Sequence, residues 1–68
     1  MKKIRIRLKE LLDERGMTQK EFAKISGMRE SQVSVICRNT GTGINKEHLE
    51  KIAEVLQITD IRDLIEFK

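Results

Sequence analysis

The stretch QKEFAKISGMRESQVSVICR, residues 19–38, indicates two short helices joined at a single glycine. Thr18 and Glu21 have the spacing of a capping box, in which the Thr18 hydroxyl accepts from the Glu21 amide while the Glu21 carboxylate accepts from the Thr18 amide. Gly27 can adopt the positive φ that commonly ends a helix. The pattern therefore predicts a helix over 19–26.

A second helical pattern starts just past this glycine. Val33 and Ile36 lie three residues apart, on one face of a helix predicted over 30–38. Two short helices joined by a tight glycine turn form a helix-turn-helix, the geometry that places its second helix in a DNA major groove.

The length of the chain limits what it can do. Sixty-eight residues make one domain, 1–68, which buries about 60% of the surface that its unfolded chain exposes. A large catalytic cleft is not expected, so we predict a protein that is not an enzyme. Charged residues make up 37% and hydrophobic residues 38%, a balance typical of a folded soluble domain rather than a disordered or membrane-spanning one.

Several classes of site and location are disfavoured by what the sequence lacks. It has no apolar run of membrane length and no pattern of a signal peptide, so we expect a cytoplasmic protein without a membrane partner. Cys37 and His48 are its single cysteine and histidine, too few for an internal disulfide or a structural zinc site. We therefore predict no metal, no cofactor and no small-molecule substrate.

Positive charge is concentrated in the first part of the chain. Residues 1–39 contain ten Lys or Arg and five Asp or Glu, whereas residues 40–68 contain four and six. Such asymmetry is typical of a protein that binds a polyanion, although surface charge also keeps small domains soluble.

The N-terminal segment 3–7 alternates basic and apolar residues with a period of two. This pattern predicts a short, half-buried strand; a basic arm that reaches into the minor groove is the alternative. The last residues, 64–67, also alternate and could pair with it in an antiparallel ribbon. Between this strand and the glycine turn, the apolar face of 8–15 predicts the first helix.

Two further helices are predicted in the second half. Asn45 is a candidate cap for a helix over 46–56, with Ile44 and Leu49 spaced as a hydrophobic staple, and a short helix is predicted over 60–65. The loop at 39–43 is rich in glycine but lacks the ending of a P-loop, so nucleotide binding is not expected. The predicted fold class is all-α with five helices, to which the two terminal segments could add a two-stranded ribbon.

With the helices placed, residues 8–58 resemble the Cro/CI-type helix-turn-helix family of phage and bacterial repressors, also called lambda repressor-like or XRE. The resemblance implies a small single-domain regulator that binds DNA. The residues that carry it are Leu11, Gly16, Thr18, Gln19, Phe22, Ala23, Gly27, Val33, Ile36, Leu49, Ile52, Ala53 and Leu56.

The sequence departs from the family pattern in two places. Leu12 and Cys37 occupy positions where many members have an arginine and a glutamate that form an internal ion pair, which well-packed apolar residues can replace. Cys37 is then an inert core residue, and a redox role is the less favoured alternative. Arg29 stands where the family usually has a Ser or Thr cap for the helix over 30–38. This helix therefore lacks a side-chain acceptor at its start, unless it begins a residue away or Gln32 compensates.

The resemblance also implies which residues contact DNA. The base-reading residues are Glu30, Ser31, Gln32 and Val35, whose side chains suit cytosine, several bases, adenine and the thymine methyl group, respectively. Glu30 has an alternative role as a favourable anion at a helix N-terminus. The residues implied to bind phosphate are Gln19, Lys20, Arg29, Arg38 and Asn39.

These patterns favour a sequence-specific double-stranded DNA-binding transcriptional regulator of repressor type. A homodimer on a two-fold symmetric site is expected, because one small module buries too little surface for tight binding. The alternative is a protein-interaction module of the same fold that acts as an anti-repressor or inhibitor. Ile25, on the outward side of the first helix of the pair, either packs under the terminal segments or marks a protein contact. RNA binding is less favoured, because the chain has only two aromatic residues on which bases could stack.

Overall fold

Four α-helices and a short two-stranded ribbon follow one another along residues 3–40 and 45–67, the parts of the chain that the computed structural model describes. None of the helices in these parts is long and apolar enough to cross a lipid bilayer. The elements in chain order are strand β1 (Ile4–Ile6), helices α1 (Leu8–Glu14), α2 (Gln19–Ser26), α3 (Glu30–Arg38) and α4 (Lys46–Leu56), a 3-10 turn (Ile61–Asp63) and strand β2 (Ile65–Phe67).

The core takes residues from every helix. Its largest fully buried side chains are contributed by α1, α2, α3, α4 and the segment just before β2; they are Leu8, Phe22, Val33, Ile52 and Leu64. These belong to a single cluster of buried hydrophobic residues. Because α2 and α3 each place an apolar stripe in the same cluster, their relative orientation is fixed by packing as well as by the turn between them.

The two ends of the chain form the antiparallel ribbon that their alternating residues indicate. Ile4 lies opposite Phe67, and Ile6 lies opposite Ile65. Ile6 is buried in the core, which explains why this segment is a strand rather than a free arm. The Arg7 amide extends the pairing by donating to the Leu64 carbonyl at 2.7 Å.

The predicted fifth helix over 60–65 is not confirmed. The Asp60 side chain does cap the segment by accepting from the Arg62 amide at 2.9 Å, but a single 3-10 turn follows it. The Leu64 carbonyl accepts from the Arg7 amide, directly after β1, and Ile65 already belongs to β2. Pairing with β1 therefore ends the helical segment before a full α-helical turn can form.

Two predictions fall on residues 41–44, which lie outside the described residues. These are the main part of the glycine loop at 39–43 and the staple between Ile44 and Leu49. The Asn45 cap can be seen, since its side-chain oxygen accepts from the Glu47 amide at 2.8 Å. The start of α4 is therefore stabilised as its sequence predicts.

Candidate nucleic-acid interface

Both ends of α2 are fixed by local interactions. The Glu21 amide donates to Thr18 Oγ1 at 3.1 Å, and the Thr18 amide donates to Glu21 Oε1 at 3.0 Å, which confirms the capping box. Hydrogen bonding of the Glu21 carboxylate to the Thr18 backbone amide, and to a lesser degree to the Thr18 side chain, lowers the pKa of Glu21. At the other end Gly27 has φ of 76°, a left-handed conformation that glycine adopts without the steric cost of a side chain.

Ser26 stabilises the turn between α2 and α3. It is a buried polar residue whose hydroxyl donates to the Ala23 carbonyl at 3.3 Å and accepts from the Met28 amide at 3.2 Å. The sequence analysis overlooked this role. Its signal was a serine directly before the turn glycine, a position from which the side chain can bond to nearby backbone groups.

The start of α3 lacks the usual side-chain cap. Arg29 occupies the cap position in an extended conformation, and no side chain in the described part of the protein accepts from the first-turn amides of α3. Gln32 does not compensate. These amides and the positive end of the helix dipole are therefore available to an external acceptor.

The four predicted base-reading residues lie on the solvent side of α3. Glu30, Ser31 and Gln32 are exposed, and Val35 is 38% exposed. Among residues 3–40 and 45–67, none of these four side chains has a hydrogen-bond or ion-pair partner.

The opposite face of α3 is packed into the core. Val33, Ile36 and Cys37 are buried there. Burial anchors the helix while its first turn and one later residue remain open to a ligand, the arrangement needed by a helix that reads a groove.

Leu12 and Cys37 are both buried in the core cluster. Apolar packing thus replaces the internal ion pair of many family members, as their sequence positions imply. Burial, with a smaller contribution from the negative charge of Asp13, raises the pKa of the Cys37 thiol. A buried and protonated thiol is a poor nucleophile, which favours the inert interpretation.

Three of the predicted phosphate-binding residues are exposed cations. Lys20 lies in the first turn of α2, Arg29 at the start of α3 and Arg38 at its end. None of the three forms an ion pair within the described residues. Their charges are therefore not offset by a neighbouring carboxylate at hydrogen-bonding distance.

Gln19, the fourth predicted phosphate-binding residue, is half-buried at the first position of α2. It lines an open cleft of about 560 Å³ where α1, the start of α2, the end of α3 and β1 meet. The residues that line this cleft are Lys3, Ile4, Arg5, Lys9, Gln19, Cys37, Arg38 and Asn39. Two predicted phosphate-binding residues from different helices, Gln19 and Arg38, are thus brought together.

Asn39, the fifth predicted residue, uses its side chain within the protein. Its amide nitrogen donates to the Ile6 carbonyl at 3.0 Å, and its amide oxygen accepts from the Ile6 amide at 2.7 Å. Asn39 ends α3 in a left-handed conformation with φ of 55°, which asparagine tolerates better than most residues. Its side chain joins the end of α3 to β1 and is not available for phosphate in this arrangement.

Arg5 also has a structural role that the sequence analysis did not identify. Its guanidinium forms ion pairs with Glu10 of α1 and with Glu66 of β2, the latter at 3.1 Å. The hydrogen bonds from Arg5 lower the pKa of Glu10. Arg5 therefore ties both strands of the ribbon to α1, and its own charge is largely offset.

Ile25 is 62% exposed on α2. It does not pack under the described terminal segments, so the first of its two interpretations is wrong. Its exposure leaves a contact with another protein as the remaining interpretation.

The packed helix pair, the exposed first turn of α3 and the surrounding cations define a helix-turn-helix domain of the DNA-binding type. A family model for the Cro/C1-type HTH DNA-binding domain matches residues 7–68, so the chain belongs to that family. No curated protein and no solved structure matches the chain significantly.

Proposed function

We propose that this protein is a sequence-specific double-stranded DNA-binding transcriptional regulator that reads the major groove with α3. The observation that carries the proposal is the exposed face of α3, where Glu30, Ser31, Gln32 and Val35 have no partner among the described residues. The helix is nine residues long, or about 13.5 Å at 1.5 Å per residue. An α-helix with its side chains is about 10–12 Å across, which fits a major groove about 12 Å wide.

The proposed base contacts follow from side-chain chemistry. Gln32 can form two hydrogen bonds with adenine, Ser31 can bond to several bases and Val35 can contact a thymine methyl group. Glu30 can accept from the amino group of cytosine, and it also has a favourable position at the N-terminus of α3. Gln32 is therefore the residue expected to contribute most to sequence preference.

The proposed phosphate contacts surround this helix. Arg29 lies at the start of α3 and Lys20 lies in the first turn of α2, whereas Arg38 and Gln19 line the cleft beside the end of α3. Phosphate contacts set the position of a protein on DNA without reading its sequence. We leave Asn39 out of the proposed set, because its side-chain amide is occupied by Ile6.

A homodimer on a two-fold symmetric site is part of the proposal. Half-sites in such operators lie about 34 Å apart, one turn of the DNA helix. The two shorter dimensions of the protein, 24 and 21 Å, are below this spacing, so two copies can occupy adjacent turns of one DNA face when these dimensions lie along the DNA. The family resemblance implies that the protein acts as a repressor, because a bound dimer would block access to its DNA site.

Selection of bound sites from a pool of random duplexes tests this function. We expect enrichment of a short motif that occurs twice, in inverted orientation and about one turn apart. A chain in which Gln32 is replaced by alanine should lose preference at one position of each half-site. Failure of the wild-type protein to enrich any motif would contradict sequence-specific binding.

A protein-interaction module of the same fold is the second candidate, and the exposed Ile25 is the observation that favours it. The dependence of binding on salt distinguishes the two functions. Displacement of counterions from phosphates makes the logarithm of DNA affinity fall linearly with the logarithm of salt concentration, whereas an apolar protein contact is much less sensitive to salt. Ile25→Ser should leave DNA binding unchanged if α3 is the binding surface. The same substitution should abolish binding to a protein partner if Ile25 forms that contact.

A further inference from the structure

We infer that the cleft between β1, α1 and the end of α3 is a binding site for a phosphodiester of the DNA backbone, and that Lys3 and Lys9 are its principal cations. Lys9 has no DNA-binding role in the predictions from sequence or family resemblance, and Lys3 has one only in the alternative of a basic arm in the minor groove. The inference rests on the proposed DNA binding and extends the contact surface beyond the helix-turn-helix, to the N-terminal segment and α1.

The lining of the cleft is positively charged. Four of its described lining residues are cations, and none is an acid; the cations are Lys3, Arg5, Lys9 and Arg38. Arg5 is committed to Glu10 and Glu66. The other three form no ion pair with any described residue, so the cleft has uncompensated positive charge.

The start of α2 adds a hydrogen-bond donor to the cleft. Gln19 lines the cleft at the first helical position of α2, and its backbone amide has no acceptor among the described residues. The Glu21 amide, by contrast, is satisfied by Thr18. Unpaired cations and a free amide at the start of a helix, which line the same cleft, make a combination suited to an oxyanion.

The size and lining of the cleft narrow the kind of anion. About 560 Å³ is within the range of ligand pockets, roughly 300–1,000 Å³, but those pockets are mostly apolar. This one is open and cationic, which suits an extended, hydrated chain of sugars and phosphates. Asp13 lies on a neighbouring depression that shares Lys9, Gln19 and Cys37 with the cleft, so the positive potential weakens in that direction.

Continuity with α3 indicates that the anion belongs to the same duplex. A helix whose first turn reads bases in the major groove has a sugar-phosphate backbone on each side, and its last turn lies nearer the rim of the groove. If the first turn of α3 reads bases, its end at Arg38 lies close to one backbone. Arg38, Lys9 and Lys3 line the same cleft, so a backbone that lies against Arg38 is also within the cleft that the two lysines line.

A pair of double variants tests this site. Lys3→Ala/Lys9→Ala removes two cleft cations, and Lys24→Ala/Lys51→Ala removes the same charge from exposed lysines that lie outside the cleft. Binding of each to a mixed-sequence duplex is measured over a series of salt concentrations. Each lost phosphate contact should lower the slope of log affinity against log salt by about 0.9, so the cleft variant should lose between about 0.9 and 1.8 while the control changes by less than half a unit.

Three further measurements complete the test. Lys3→Arg/Lys9→Arg should retain the wild-type slope, because the charge remains, and urea unfolding should show that all variants are folded. Affinities for a selected site and for the mixed duplex should fall by the same factor, since phosphate contacts read no sequence. Equal slopes for the cleft variant and its control would overturn the inference and leave the proposed function intact, whereas a wild-type chain that binds no duplex would overturn both. Saturable binding of inorganic phosphate at Lys9, without any effect of Lys9→Ala on duplex binding, would likewise overturn the assignment to DNA.

Discussion

The hydrogen bonds between Asn39 and Ile6 predict a stability effect that can be separated from backbone conformation. Asn39 and Gln57 each end a helix, with nearly the same left-handed backbone angles of 55° and 39°, and 55° and 45°. Asn39 makes two side-chain hydrogen bonds, whereas the Gln57 side chain makes none with the described residues. Asn39→Gly and Gln57→Gly therefore relieve similar backbone strain but differ in the contacts that they remove.

The expected magnitudes follow from these contacts. Replacing a non-glycine residue in the left-handed region by glycine relieves roughly 1 kcal/mol of steric cost, less for asparagine, and this gain is offset in part by the greater freedom of glycine in the unfolded chain. Each hydrogen bond contributes about 0.5–1.5 kcal/mol. Asn39→Gly should thus be about 1–3 kcal/mol less stable than Gln57→Gly, which should itself be close to the wild type or slightly more stable.

Urea unfolding followed by circular dichroism measures this difference. In a domain of this size each kcal/mol corresponds to roughly 4–8 °C in the melting temperature, so thermal unfolding provides a second readout. Asn39→Asp is an additional control, because aspartate tolerates the left-handed conformation but cannot donate to the Ile6 carbonyl. Equal stability of Asn39→Gly and Gln57→Gly would show that the hydrogen bonds between Asn39 and Ile6 do not stabilise the fold.

Three other predictions concern binding, pH and the thiol. Gln32→Ala should lose on the order of 1–3 kcal/mol of binding free energy at a selected site and leave the affinity for a mixed-sequence duplex almost unchanged. Arg29→Ala should weaken binding to both duplexes and lower the slope of log affinity against log salt by about one. Titrations on both duplexes test this, and equal losses for Gln32→Ala would exclude base reading. Because the pKa of Glu21 is lowered on folding, its contribution to stability is present above its ordinary value of 4.5 and is lost as the pH falls through the lower, folded value. The free energy of unfolding, measured with urea, should therefore fall less from pH 6 to pH 3 in Glu21→Gln than in the wild type. Parallel pH dependences of the two proteins would exclude the capping carboxylate as a cause of the loss of stability. Cys37 should react with a thiol reagent far more slowly in the folded chain than in urea, and fast labelling of the native protein would revive a redox role.

The features that sequence predicted well are those whose partners lie close together in the chain. Thr18 and Glu21 are three residues apart, so the capping box could be identified from spacing alone. The exposed face of α3 follows from the period of Val33 and Ile36 in the same way. A short helical segment after Asp60 was also predicted from local sequence, but its length is decided by pairing with β1. This is why a short 3-10 turn replaces the expected fifth helix.

The features that sequence did not predict depend on residues distant in the chain. Asn39 and Ile6 are 33 positions apart, and Arg5 and Glu66 are 61 apart. No local pattern distinguishes an asparagine that bonds to a strand from one that faces a phosphate, so Asn39 was assigned to the DNA backbone by resemblance. The cationic cleft could not be predicted for the same reason, since Lys3, Lys9 and Arg38 meet only when the ribbon packs beside α3.

The contacts at the two ends of α3 explain how a domain of 68 residues can hold this helix in one orientation. At its start, the turn before Arg29 is fixed by Gly27 and by the two hydrogen bonds of Ser26. At its end, Asn39 bonds to β1, and Arg5 joins the ribbon to α1. Loss of the Asn39 contact should therefore reduce sequence preference as well as stability, because an end of α3 that can move lets the exposed residues approach wrong bases. Phosphate binding in the cleft would act in the opposite direction, since an anion held by both Lys9 and Arg38 would join α1 to α3 across the same boundary.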